Sequence, residues 1–491
     1  MTFISYAYIV LFAVALLARV TIGRSSNAKP YLWVLLALSL IFYGWFRWWY
    51  LLILCGTATV DYYAAQLLVR PSLTARQRKQ VLAVSMISNL GVLGFFKYTN
   101  FALGSIRAGL GYFGIAAPWQ DAITITLPIG ISFYTFQSMS YTIDVYRGLL
   151  TPARCFWRFL LFVSFFPHLV AGPIVRALDY LYQFDRPRRI RAVVVTEGVA
   201  LIARGLFLKM VCADNIGTFL AGIPAISDGV WDKGYVRGAD SATLWLWVAL
   251  FSAQIYCDFA GYTDIARGSA YLLGYRLTVN FRYPYIASSF SDFWRRWHIS
   301  LSSWLRDYLY RPLGGNQQGR ARTYLNLFTV MLLGGLWHGA AWPFVLWGGI
   351  HGTALAVERM LGLADRARTP ATTWTAALAQ LCWSVPYFVV VQLVVALAWV
   401  YFRSDTIAHA NMFAANLFTA PQWTLDFREP SLRLMIVLLL PVAALHLRQL
   451  AHETARFPVA APFERAAWAA MMLYLAATVY GRANAFIYFQ F

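Results

Sequence analysis

Charged side chains are scarce in this chain. Of its 491 residues, 13% are Asp, Glu, Lys or Arg, against about 25% in a typical soluble domain. That deficit excludes the two or three water-soluble domains that length alone would suggest. Acidic residues are the scarcer sign, 21 against 41 basic ones. Cysteine is scarce as well. Cys55, Cys155, Cys212, Cys257 and Cys382 show no short paired spacing, which argues against a disulfide framework and a zinc site, so no metal is expected. No low-complexity linker and no internal repeat divides the chain. The apolar stretch from Ile4 to Val20 lacks a basic leader and a small-residue cleavage site. It is therefore expected to be a retained first span and not a signal peptide.

What is abundant is hydrophobic surface: 60% of the residues are apolar and mean hydropathy is +0.55. Crossing a bilayer takes about 20 mainly apolar residues in a helix. Suitable runs are expected at 5–22, 31–46, 48–69, 80–97, 123–144, 156–176, 192–212, 241–259, 324–341, 343–361, 375–402, 431–447 and 466–481. The runs are continuous and do not alternate, so helices are expected and not a barrel. The predicted fold is an all-α polytopic membrane protein forming one integrated domain over 1–491. It should hold about eleven to thirteen transmembrane or half-helices. The net charge of +20 does not indicate a nucleic-acid partner, because the basic residues fall between apolar runs. Their clusters are Arg76, Arg78 and Lys79; Arg186, Arg188, Arg189 and Arg191; Arg295, Arg296, Arg306 and Arg311; Arg320 and Arg322; and Arg366 and Arg368. Short basic loops mark the cytoplasmic side and meet anionic lipid headgroups there. Some of these arginines also suit a phosphorylated donor.

The stretch from Gly261 to Arg322 breaks the apolar pattern. It is aromatic and polar, contains Pro284, Pro312 and the Gly314–Gly315 pair, and has no clean spanning run. Irregular backbone cannot face lipid, so this stretch is expected to be re-entrant or interfacial and to carry chemistry. Ionisable groups at membrane depth are costly and usually functional. His338 stands inside M-L-L-G-G-L-W-H-G-A-A-W (331–342), where small neighbours permit close approach and Trp337 and Trp342 can wall a site. The plain alternative is a structural histidine bonded to a helix carbonyl. His298 lies in F-S-D-F-W-R-R-W-H-I-S-L-S-S-W-L-R-D-Y-L-Y-R-P-L-G-G-N (290–316). As one helix, this segment would present Phe290, Phe293, Trp294, Trp297, Leu301, Trp304 and Leu305 on one face. That pattern suits an interfacial amphipathic helix, with His298 and Asp307 toward the headgroups. Asp258 and Asp264 in D-F-A-G-Y-T-D could bind a cation or carry protons, but neutralising nearby arginines is the simpler role. His168 and His351 also interrupt apolar runs. A neutral imidazole serves as general base near pH 7, and a histidine-lined transport pathway leaves the same traces. At this level both readings stand.

The segment 290–316, followed by G-G-L-W-H-G-A, resembles the membrane-bound O-acyltransferase (MBOAT) superfamily. The likeness is to the bacterial branch that O-acetylates polysaccharides such as alginate. L-P-I-G-I-S-F-Y-T-F-Q-S-M-S-Y-T-I-D-V-Y-R-G (127–148), F-P-H-L-V-A-G-P (166–173) and D-F-A-G-Y-T-D-I-A (258–266) support it in the same order. The family core covers about 120–405, with C-terminal helices and an aromatic tail in 406–491. The resemblance implies that His338 is the catalytic histidine, deep in a funnel reached from the cytoplasm, and that His298 is the second family histidine. Asp307 and Asn316 would position His298 or the donor. Acetyl-CoA would be the co-substrate, with no bound cofactor, and Arg295, Arg296, Arg306 and Arg311 would contact its phosphates. The tail F-I-Y-F-Q-F (486–491) suits interfacial anchoring. It also resembles the aromatic end of the small partner protein in teichoic acid D-alanylation, which makes Tyr488 a candidate acyl relay. A bacterial inner-membrane location, a periplasmic SGNH-type partner and a polysaccharide acceptor are further implied. Alginate-like exopolysaccharide, peptidoglycan and cellulose are all compatible acceptors, and a D-alanyl group is the alternative cargo.

Overall fold

A computed structural model describes residues 2–23, 29–117, 125–170, 172–185, 191–221, 239–363, 374–419, 430–455 and 462–478. The tail with Tyr488, and Arg186, Arg188, Arg189, Arg366 and Arg368, lie outside the described residues. Within the described residues the regular structure is helical throughout, with no strand. In a bilayer a helix satisfies its own backbone donors and acceptors where water cannot. Four helices are long and apolar enough to cross a membrane: Tyr50–Leu68, Ala75–Tyr112, Ser241–Leu272 and Cys382–Arg403. Shorter apolar helices include Tyr6–Thr21 and Lys29–Gly44. The chain is an all-α, polytopic membrane protein.

Two compact units emerge from the contacts: Met1–Ile202 with Tyr262–Thr278, and Ala203–Gly261 with Val279–Phe491. At the centre of the first unit is Ile131–Tyr146, buried along most of its length although it carries Ser132, Thr135, Gln137, Ser138, Ser140, Thr142 and Asp144. Other buried polar groups of this unit pair with one another. The buried Asp61 carboxylate, for example, accepts from Ser85 Oγ at 2.5 Å and from Asn89 Nδ2 at 2.8 and 2.9 Å. Two carboxylates noted in the sequence are also neutralised. In the first unit Arg267 meets Asp264 at 3.0 Å. In the second, Lys209 Nζ lies 2.7 Å from both Asp258 and Asp214.

Two expected helices are broken. The run 156–176 is not one span but Phe156–Ser164 followed by Phe166–Leu169. Phe165 turns out of helical geometry at φ −52°, ψ 111°, and Pro167 has no backbone N–H to bond the Val163 carbonyl, so the first helix cannot run on. The aromatic segment after Phe290 is likewise two helices, Phe290–Arg296 and Ile299–Leu305. Trp297 is extended and His298 left-handed between them, at φ 42°, ψ 53°. His298 is therefore fully buried and does not face headgroups. The irregular stretch also begins later than Gly261, because Ser241–Leu272 continues helically to Leu272.

Candidate active site

His338 is the last residue of the helix Gly319–His338, and the chain returns at once through Trp342–Met360. Pro343 in the first turn suits a helix start, where no backbone donor is needed. The two helices touch backbone to backbone. A Cβ at Gly335 would overlap the Phe344 carbonyl and sit 3.1 Å from Gly348 Cα, and one at Gly348 would overlap the Met331 carbonyl. Only glycine permits this approach, and it sets the position of His338 one turn away. The His338 ring, 4% exposed, is walled by Trp337 at 5.0 Å, Trp347 at 5.1 Å and Phe402 at 5.6 Å between centroids.

The second imidazole arrives from the broken segment. The His298 and His338 rings lie 6.0 Å apart at 60°. Phe259 meets His298 edge-on at 4.7 Å and Trp337 stands 5.9 Å from it. The left-handed backbone at His298 is unusual for a residue with a Cβ and costs about 1–3 kcal/mol. It is held from Asn280, whose carbonyl accepts from Ile299 N at 2.9 Å. The Asn280 side-chain oxygen accepts from Ser300 N at 3.2 Å and Ser300 Oγ at 2.9 Å, and meets His298 Nδ1 at 3.2 Å. The start of Phe290–Arg296 is fixed as well. Glu358, 1% exposed, accepts from Phe290 N at 2.6 Å, Ser291 N at 3.0 Å, Ser291 Oγ and Tyr387 OH at 2.7 Å. A carboxylate is well placed at helix-start donors that have no partner within the helix.

The remaining sequence candidates are placed differently. Arg296 is committed to Asp292 at 2.8 Å and Glu453 at 2.9 Å. Arg295 is half-exposed and pairs with Asp292 at 3.3 Å. Arg306 and Arg311 reach outward and share Asp307, at 2.9 and 3.2 Å. The hydrogen-bonded Asp307 carboxylate holds the Arg306 guanidinium above its ordinary pKa, with partial burial acting the other way. It is Asn280, and not Asp307, that bonds the His298 ring. Asn316 is exposed in the turn before Gly319–His338. Trp337 is part of the histidine wall. His351 is fully buried, stacked on Phe293 at 5.9 Å and against Trp347 at 4.9 Å. Among the described residues no group of three His, Cys, Asp or Glu has the arrangement of a metal site.

Two imidazoles facing each other inside aromatic walls can accept and return a proton where water is scarce. The sequence pattern of the MBOAT, membrane-bound O-acyltransferase family, matches residues 154–400, which include both histidines, Asn280 and Glu358. A protein named probable alginate O-acetylase AlgI, from Azotobacter vinelandii, is 38% identical over 394 residues, covering 80% of this chain and 74% of the relative. The chain belongs to the membrane-bound O-acyltransferase family. Peptidoglycan O-acetyltransferase of Helicobacter pylori is 34% identical over 409 residues, 78% of this chain and 72% of its own length. Teichoic acid D-alanyltransferase of Bacillus subtilis is 28% identical over 265 residues, 51% and 64% of the two chains. As an MBOAT member the chain is an O-acyltransferase, and the transport reading of its composition is set aside.

Four residues around the site escaped the sequence reading: Asn280, Trp347, Glu358 and Phe402. Glu358 was detectable, as a lone acid ending an apolar run at membrane depth. Asn280 carried no such signal, because it meets His298 from 18 positions away across an irregular loop.

Proposed function

We propose that the chain moves acetyl groups from cytoplasmic acetyl-CoA across the inner membrane for O-acetylation of an exported or cell-wall polysaccharide. The observation that carries this reading is the facing pair His298 and His338 inside an aromatic enclosure, in a chain related over most of its length to two named O-acetylating proteins. His338 acts as general base. It takes the proton of an attacking hydroxyl, whose oxygen bonds to the thioester carbonyl carbon, and the C–S bond then breaks. The proton passes to the departing thiolate, so the products are an acetyl ester and free CoA. Splitting the transfer in two suits a reaction across a bilayer: the Tyr488 phenol is acetylated first, and its activated aryl ester is then passed on. The exposed arginines Arg295, Arg306 and Arg311 receive the donor phosphates, exchanging carboxylate partners for phosphate. Arg296, already held by Asp292 and Glu453, supports the loop instead.

The final acceptor is an alginate-like exopolysaccharide, reached through a periplasmic SGNH-type partner. Peptidoglycan is the second reading, favoured by the Helicobacter pylori relative. The test is to incubate the purified protein with acetyl-labelled acetyl-CoA, measure CoA release and map any stable label. Glycans from a strain lacking the protein are compared by mass spectrometry. CoA release with loss of acetyl from one glycan class is expected. An absence of CoA release together with unchanged glycans overturns the reading.

A further inference from the structure

Asn280 does more than brace the loop. Its side-chain oxygen faces the backbone N–H of Ser300 at 3.2 Å. A backbone N–H can only donate, so this contact fixes which end of the amide points toward His298. An amide oxygen can only accept. The proton in the 3.2 Å contact with His298 therefore belongs to Nδ1. A neutral imidazole with a proton on Nδ1 has a bare lone pair on Nε2. That atom is buried and has no hydrogen-bond partner among the described residues. The opposite tautomer would set two lone pairs against each other at Asn280.

We propose that Asn280 is a positioning residue that locks His298 as the Nδ1–H tautomer, so that its Nε2 enters the acyl transfer as a proton acceptor. This deepens the reading of the histidine pair given above and rests on it. A bare Nε2 cannot donate a hydrogen bond to the carbonyl oxygen that becomes negative during attack. His298 is thereby excluded as an oxyanion donor and assigned to the attacking hydroxyl. Its bare Nε2 takes from His338 the proton that His338 removes from that hydroxyl, and the proton returns through the pair to the CoA thiolate. Two further features fit. The left-handed backbone of His298 is held by the same asparagine, and strain of this kind concentrates where geometry must be exact for chemistry. The Ser300 hydroxyl, 3.5 Å from Nδ1, gives its proton to the Asn280 oxygen at 2.9 Å and so can likewise only accept from Nδ1. The titratable group facing it is His338.

The test uses the full-length protein with nitrogen-15 histidine, the His298 signals being identified by their loss in His298→Gln. The expected spectrum shows protonated Nδ1 and the downfield shift of a bare Nε2; a protonated Nε2 in the neutral ring overturns the proposal. Kinetics of Asn280→Ala should show kcat reduced by about tenfold or more with KM little changed, since misplacing a tautomer costs turnover more than binding. Asn280→Asp keeps an acceptor for Nδ1 and should retain turnover. Its carboxylate favours the imidazolium, so the acidic limb of its pH–rate profile should move up by about one unit or more. A wild-type kcat in Asn280→Ala, or an unmoved limb in an active Asn280→Asp, overturns the proposal. If wild-type protein shows the expected spectrum but releases no CoA, the acetyl-CoA reading fails while the tautomer assignment stands.

Discussion

The ring of His338 meets the ring of His298 at 6.0 Å and 60°, although one closes a regular helix and the other occupies a break between two short ones. This places two proton-handling groups against a single small volume. Replacing His338 with Ala should lower kcat for acetyl transfer by about 10²–10⁴-fold, the range usual for general-base removal. The protein should remain inserted and folded, losing only the stability that a cavity in place of one buried ring costs. CoA release by the purified variant, with thermal unfolding as control, checks this. Full activity would remove His338 from the mechanism.

Tyr488→Phe removes one hydroxyl and nothing else. If the phenol relays the acetyl group, delivery to glycan should fall to background, because a phenyl ring has no nucleophile. Label from acetyl-CoA should also disappear from the C-terminal peptide. Unchanged glycan acetylation in this variant would return the tail to an anchoring role.

The contact between Gly335 and Gly348 gives a prediction about geometry at a distance from the chemistry. Gly335→Ala must push Trp342–Met360 away from Gly319–His338, since its Cβ would meet the Phe344 carbonyl. Overpacking of this sort costs about 1–3 kcal/mol, and the shift reaches His338 within one turn. Turnover should fall sharply. Gly349→Ala is the control: its Cβ would meet Phe328 Cε2 at an ordinary 3.9 Å, and near-normal activity is expected. Equal activity in the two variants would contradict the close-packing account.

Lys209 bridges Asp214 and Asp258 in the interior of the second unit, with all three side chains under 5% exposed. Lys209→Met leaves two buried carboxylates without their cation, and breaking such a cluster costs about 3–5 kcal/mol. Replacing all three residues, as Lys209→Met with Asp214→Asn and Asp258→Asn, should recover most of that loss. Thermal stability in detergent distinguishes the outcomes. A triple variant no better than the single one would give the cluster a role beyond charge balance.

Much of this was legible from the chain alone. Low charge and recurrent apolar runs are local properties, and the bilayer selects for them one segment at a time. The helices therefore fall close to the expected runs, as Tyr50–Leu68 does for 48–69 and Pro430–Ala455 for 431–447. His338 stood out for the same reason, since an imidazole among apolar neighbours is conspicuous wherever it later packs, whereas His298 stood out only through the family resemblance of its segment.

The tertiary structure alone decided what these groups touch. Helical periodicity assigns 290–305 to one amphipathic face, yet hydrogen bonds donated to Asn280 and Glu358 hold the segment as two pieces and turn His298 inward. Composition pairs Asp258 with an arginine, whereas the fold brings Lys209 to it. Hydrophobicity sums along the chain and can be read residue by residue. A hydrogen bond or ion pair depends on directions and distances between remote backbones, which exist only after the helices have closed on one another.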